Sequence, residues 1–295
     1  MILIVSGRTD IVAFYTKWFI NRYKEGYVHV RNPYNSKLVN RIDFNNVDAL
    51  MFCTKNPIPI LPYLKDIDKP ILFHITLTPY LKDIEPNVPD KKLIIDAIKK
   101  VSNIVGKENT VVRYDPIFLS DKYDLEYHKK VFNRMCKLLN GYIDKVIVSF
   151  IDTYKNVKKN QKILKVKNFT ENDYKEIGKS FSKSAKNNKM TVQTCFEERN
   201  LTEYGFIKGD CLSHELAFKL TGKSYPKWKA RKENKCNCAQ MVDIGVYNSC
   251  NHRCKYCYAN FDENKININY KKHNPNSSLL IGNIEEDDII KERIK

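Results

Sequence analysis

Eight short β-rich runs recur along the chain: Ile2–Ser6, Tyr27–Arg31, Ala49–Cys53, Ile71–Leu77, Thr110–Tyr114, Lys145–Phe150, Met190–Cys195 and Met241–Tyr247. Most do not alternate apolar with polar residues, so each strand must be covered on both faces, as in a parallel sheet. Helical patterns with their own start signals lie between them. Asp10 is placed to cap a helix that buries Ile11, Phe14, Tyr15, Trp18 and Phe19. Asp90 and Asp124 open two more, which stop at Gly106 and Gly141, and Thr170 and Ser213 open a fourth and a fifth. The connections over residues 32–48 and 54–70 contain Pro33, Pro57, Pro59 and Pro62 and admit only short helices. This succession predicts an α/β fold, a (β/α)8 TIM-type barrel; an open doubly wound sheet is the alternative. One domain over residues 1–259 is expected, followed by a polar extension, 260–295, that straps across the barrel or frays.

No apolar stretch approaches the roughly 20 residues that a membrane helix needs. Met1–Val5 is too short for a signal peptide, so a cytoplasmic protein with no membrane partner is expected. The net charge of +17 concentrates in Lys155–Lys189 and Lys219–Lys235. Such a balance suits contact with nucleic acid, although solvated lysine faces such as Lys175, Lys179 and Lys183 explain it equally.

Nine cysteines without a secretory signal point away from disulfides and towards metal. Six fall within residues 211–257, and three of these form the segment Cys250-Asn-His-Arg-Cys254-Lys-Tyr-Cys257. Spacings of four and three place three thiolates along one tight loop, and thiolates are the usual iron–sulfur ligands. Three ligands for four irons leave one iron open to a cofactor or substrate. Arg253 and Lys255 beside them would favour thiolate over thiol. The loop resembles the radical S-adenosylmethionine signature, with Tyr256 as the aromatic before the last cysteine. That resemblance implies a [4Fe–4S] cluster on Cys250, Cys254 and Cys257 whose open iron chelates S-adenosylmethionine. It further implies adenine contact by Tyr256, and reduction by an electron donor such as flavodoxin or ferredoxin. In that superfamily the motif follows the first barrel strand; here it follows the last, which implies a circularly permuted radical SAM barrel. Gly7, Arg8 and Asp10 would then occupy the neighbouring strand end and contact the cofactor.

The chain as a whole resembles the domain of unknown function 1848 family. The resemblance is carried by Gly7-Arg-Thr-Asp10, Val30-Arg-Asn-Pro-Tyr34, Thr54-Lys-Asn-Pro57, Arg113-Tyr-Asp-Pro116, Asp243-Ile-Gly-Val-Tyr247 and Cys250 through Asn260. It places cysteines also at Cys195, Cys211, Cys236 and Cys238, close to one barrel edge. Four thiols there would complete a second [4Fe–4S] cluster or a zinc site, unless some are merely buried.

In a barrel the loops after the strands form the active face. Polar residues crowd those positions, among them Lys55, Arg113, Asp115, Glu197 and Glu198. Lys55, Arg113, Asp115 and Glu197 are the catalytic candidates, with Asp115 the expected partner of Arg113. The leading expectation is therefore an enzyme that abstracts hydrogen from a small-molecule or macromolecular substrate through a 5′-deoxyadenosyl radical. A nucleic-acid-directed repair or modification protein and a non-catalytic zinc-binding module are the alternatives.

Overall fold

The computed structural model describes residues 1–195, 197, 199–228 and 236–294. Its strands are β1 (Ile2–Val5), β2 (Tyr27–Arg31), β3 (Leu38–Asp43), β4 (Ala49–Thr54), β5 (Ile71–Thr76), β6 (Thr110–Ile117), β7 (Lys145–Phe150), β8 (Thr191–Thr194), β9 (Ile207–Lys208), β10 (Met241–Asp243) and β11 (Ile289–Glu292). Eight of them form a parallel sheet in the order β10-β1-β4-β5-β6-β7-β8-β9.

This sheet is open. Its edges, β9 and β10, do not pair among the described residues, so the expected (β/α)8 TIM-type barrel is wrong, and with it the circularly permuted radical SAM barrel. Closure requires a ladder, and the edge strands supply two and three residues. The strand membership also differs from the expectation. The run Tyr27–Arg31 pairs antiparallel with β3 in a separate sheet, β11-β3-β2, and β9 takes the eighth place in the main one.

The helices are α1 (Ile11–Phe14), α2 (Thr16–Glu25), α3 (Lys91–Val105), α4 (Leu125–Leu139), α5 (Lys155–Lys159), α6 (Gln161–Leu164), α7 (Glu171–Asn187), α8 (His214–Thr221) and α9 (Glu263–Lys272). The predicted caps are in place: Asp10, Asp90, Asp124, Thr170 and Ser213 each accept a backbone N–H in the first turn. The single helix expected after Asp10 is broken at Tyr15 (φ −133°), whose hydroxyl donates to Ser249 O at 2.5 Å.

From β1 to β9 each new strand is added on the same side of the last, so right-handed crossovers return their helices to one face. There Trp18, Phe19, Ile98, Phe132 and Phe181 pack on Val5, Phe52, Phe73, Val112 and Val148. The opposite face carries Ile2, Ile4, Met51, Leu72, Val111 and Ile147, which alternate with the first set as strand geometry requires. Leu212, Ala217 of α8 and Ala239 cover it. This cover is fastened at the amino ends of the strands, where Tyr225 OH and Lys223 Nζ donate to Asp48 at 2.9 and 2.5 Å.

Beyond residue 259 the chain forms α9 and then β11, which lies parallel to β3. Trp18 Nε1 donates to Ser277 O at 2.8 Å and Arg31 pairs with Asp288. No helix among the described residues is long and apolar enough to cross a membrane.

His128 of α4 is fully buried on the helix-covered side. Its ring nitrogens meet Tyr114 OH at 3.0 Å and Phe118 O at 2.9 Å, which assigns the neutral tautomer protonated on Nε2. Burial pushes its pKa down to about 4. The unfolded chain takes up this proton below about 6.5, so the contribution is fully present above that pH and lost as the pH falls towards 4. At pH 5 the loss is on the order of 2 kcal/mol. Urea midpoints measured at pH 7 and pH 5 should differ by correspondingly less in His128→Gln than in the unaltered protein.

Candidate functional site at the carboxyl ends of the strands

Asp243, the last residue of β10, organises the neighbouring end of β1. Its carboxylate accepts hydrogen bonds from Ser6 Oγ (2.8 Å), Gly7 N (2.9 Å) and Gly245 N (2.7 Å). Arg8 Nη2 donates to the Asp243 carbonyl at 2.6 Å, and the Arg8 guanidinium lies over the Tyr247 ring. Gly7 and Arg8 are therefore spent on holding two strand ends together. Gly245 is required by close approach: a Cβ there would stand 1.9 Å from Ser6 Oγ.

The cysteine loop follows directly. Asn260 closes it, accepting Ser249 N and Cys250 N on Oδ1 (2.9 and 2.8 Å) and directing Nδ2 at Cys257 Sγ (3.6 Å). Asn156 of α5 donates to Cys257 O at 3.1 Å, and the next residue after α5, Asn160, donates to Lys255 O at 2.7 Å. Cys250 and Cys254 are buried and Cys257 is half-buried. Burial pushes the Cys250 thiol up, and the neighbouring Asp10, Cys254 and Cys257 push the same way, so the three thiols lie within electrostatic reach of one another. They do not converge within the 4.8 Å of mutual separation that marks a single-ion set.

Carboxylates and cations from other elements surround this loop. Asp10 accepts Thr54 Oγ1 and Lys55 N, both at 2.7 Å, and pairs with His252 Nε2 at 2.9 Å. Glu85, 1% exposed, accepts Lys55 Nζ (2.9 Å), Lys91 Nζ (2.5 Å), Thr78 Oγ1 (2.6 Å) and the Tyr256 hydroxyl. Burial alone would raise the Glu85 carboxyl, but Lys55 and Lys91 outweigh it and hold the group well below the usual carboxylate range. The same two lysines oppose the effect of burial on the Cys254 thiol. They stand where Arg253 and Lys255 were expected: Arg253 binds Asn251 and Asn267, and Lys255 pairs with Glu263. Tyr256 is buried between Lys55 and Tyr80, with its hydroxyl held by Glu85.

The catalytic candidates line up across the strand ends. Arg113 and Asp115 are paired at 2.6 Å as expected, and Asp115 also accepts Ser149 Oγ. Asp115 is in electrostatic reach of Lys55 on one side and Glu197 on the other. Glu197 accepts Phe150 N at 2.8 Å. Burial, and behind it the charges of Asp152 and Asp115, push its pKa up to about 8, so it carries its proton at neutral pH. The second cysteine set, Cys195, Cys211, Cys236 and Cys238, is also gathered, on the sheet face opposite the helices. Arg113 lies beside Cys195 and Cys211. Glu198 and the basic residues at positions 229–235 lie outside the described residues.

The sequence profile of one family, described as a domain of unknown function (DUF1848), matches residues 2–259. The chain belongs to the DUF1848 family. None of the curated proteins compared with it matches. The DUF1848 match runs from β1 through both cysteine sets and ends just before Asn260, so the strand-end site apart from Asn260 lies inside it.

Glu85, Lys91, Asn156 and Asn260 had no assigned role on sequence alone. Glu85 did leave a signal: with Asp83 it is one of two carboxylates among Pro79, Pro86 and Pro89 in the loop after a β-run, a strand-end position like those of the other candidates. The Asp243 hub yields a test of its own. Gly245→Ala must displace Ser6 Oγ and with it the bonds that join β1 to β10. It should cost about 1–3 kcal/mol and lower the Tm by several degrees, read by thermal unfolding of the purified protein.

Proposed function

We propose that this DUF1848 protein is a radical S-adenosylmethionine-type iron–sulfur enzyme. A [4Fe–4S] cluster would sit on Cys250, Cys254 and Cys257, with the substrate held at the carboxyl ends of the parallel strands. The observation that carries the reading is the loop itself: three thiols at spacings of four and three, within electrostatic reach of one another at the carboxyl ends of the strands. The donor set fits the group. Thiolates are its ordinary ligands, a cubane holds them farther apart than a single ion does, and no disulfide engages any of the three. When bound, such a centre supplies one electron to cleave S-adenosylmethionine at its open iron and yield a 5′-deoxyadenosyl radical that abstracts hydrogen.

The rest is the work of this chain's own residues. Lys55 and Lys91 place positive charge beside Cys254, offsetting the thiolate charge that burial disfavours. Asn260 directs its amide at Cys257 Sγ and fixes the backbone of Cys250, the kind of outer contact that orients a ligand and tunes its charge. Glu85 holds Tyr256 in place beside Cys254. At the open side of the site, Lys55, Asp115 and Glu197 offer a cation, an ionised carboxylate and a protonated one. Those three are suited to binding a polar substrate and to holding or moving a proton at its edge.

Protein purified anaerobically should be brown, with about four irons and four sulfides per chain. With S-adenosylmethionine and dithionite it should release 5′-deoxyadenosine, measured by liquid chromatography. The Cys250→Ala/Cys254→Ala/Cys257→Ala variant should lose this product to the background rate. Undiminished product from the variant, or unaltered protein whose loop carries zinc and no sulfide, would sink the proposal.

A further inference from the structure

The second cysteine set has a geometry of its own. Cys211 Sγ lies 3.3 Å from Cys238 Sγ. The Cys211 thiol also contacts that of Cys195, and the Cys238 thiol contacts that of Cys236. The Cys236 and Cys238 sulfurs fall within 4.8 Å of each other and of the Asp210 carboxylate. None of the four forms a disulfide. Three are buried and Cys211 is half-buried, in an apolar cluster with Leu72, Ile147, Leu212 and Ala217.

Four thiols chained through contact in an apolar setting make only weak hydrogen bonds to one another. The contacts of three successive pairs, Cys195–Cys211, Cys211–Cys238 and Cys238–Cys236, suit ligands drawn together on a single ion. A tetrahedral zinc with bonds of ~2.3 Å holds neighbouring sulfurs ~3.8 Å apart, whereas a cubane spreads them wider. Cys236, Cys238 and Asp210 lie mutually within 4.8 Å, and Cys211 and Cys195 extend this group through the Cys211–Cys238 and Cys195–Cys211 contacts.

We infer that Cys195, Cys211, Cys236 and Cys238 bind one zinc ion as a saturated four-thiolate site that fastens the edges of the open sheet. Cys195 and Cys211 follow β8 and β9, and Cys236 and Cys238 precede β10. β9 and β10 are the two edges, and among the described residues no ladder joins them. Around the site Ala239 N donates to Leu212 O at 2.9 Å, a direct backbone link between these segments. Binding releases one proton from each thiol and leaves the site with two negative charges, which Arg113, beside Cys195 and Cys211, partly offsets. With four protein ligands no position is open for substrate, so the ion is structural. Asp210 is a positioning residue, because its carboxylate is engaged by Asn237 N at 3.0 Å.

The test separates this site from the cluster loop. The Cys250→Ala/Cys254→Ala/Cys257→Ala variant, purified anaerobically from zinc-supplemented medium, should hold about one zinc per chain and no iron. Exchange for cobalt should give the intense visible bands of a tetrahedral thiolate site. Adding Cys211→Ser and Cys238→Ser should cut bound zinc more than about tenfold, while Asp210→Asn should retain it. Should the doubly altered chain prove insoluble, chelation of the triple variant should lower its Tm, and added zinc should restore it. Iron and sulfide persisting in the triple variant would overturn the proposal, as would a Cys211–Cys238 disulfide found by mass spectrometry. So would zinc that survives Cys195→Ser but is lost from Asp210→Asn, or a triple variant that takes up neither zinc nor cobalt. None of these outcomes depends on whether the protein cleaves S-adenosylmethionine.

Discussion

A parallel sheet wound in one direction receives its helices on one face and leaves the other bare, and the rest of this molecule follows from that. Apolar residues such as Met51, Leu72, Val111 and Ile147 on the bare face would otherwise meet water. In a closed barrel they would cover one another. Here the chain between β9 and β10 covers them, bringing α8, Leu212 and Ala239 onto the sheet. The same excursion carries Cys211, Cys236 and Cys238 into the interior and delivers β10 beside β1, so that the loop after β10 projects over the strand ends. Both cysteine sets owe their positions to the need to cover one face.

The strand-end site depends in turn on a buried carboxylate. An ionised group as enclosed as Glu85 is tolerable only when fully paired, and it has two ammonium groups and two hydroxyls. These partners come from four places: Lys55 follows β4, Thr78 follows β5, Lys91 begins α3, and Tyr256 belongs to the cysteine loop. One carboxylate thus fixes the loop relative to the sheet. Asp10 does the same from the β1 side through Thr54, Lys55 and His252. Removal of either would strand buried cations or hydroxyls, so their cost lies mainly in the partners left behind.

Local signals in the sequence carried what is local in the structure. The caps at Asp10, Asp90, Asp124, Thr170 and Ser213 were legible because each is a short-range pairing of a side chain with its own first turn. Seven of the eight main-sheet strands were legible from their apolar runs. β9 was not, because two exposed residues, Ile207 and Lys208, have no pattern to read. β3 was missed for a related reason: Leu38–Asp43 is interrupted by the adjacent polar residues Asn40 and Arg41, and it joins β2 in a sheet that the chain completes only with β11. Closure of the barrel was the error of consequence. It depends on whether the edge strands are long enough to pair, a property of tertiary context, and the regular alternation of strands and helices is silent on it. The cysteine loop was visible as spacing, whereas its braces, Asn156 and Glu85, lie far away in sequence and announce nothing by themselves.

The strongly basic composition contributes to the site through very few residues. Lys175, Lys179 and Lys183 are exposed along α7, far in role from the strand ends, where screening leaves their charge little local effect. The cations that matter are Lys55, Lys91 and Arg113, with 14%, 28% and 18% of their side chains exposed. Each answers both a carboxylate and a thiol: Lys55 and Lys91 stand between Glu85 and Cys254, and Arg113 between Asp115 and the pair Cys195 and Cys211. Thiolates gathered in an interior need positive charge close by, in low dielectric, where a surface lysine cannot act. One buried cation group serves each cysteine set, and Asp115, within reach of both Arg113 and Lys55, joins the two electrostatically.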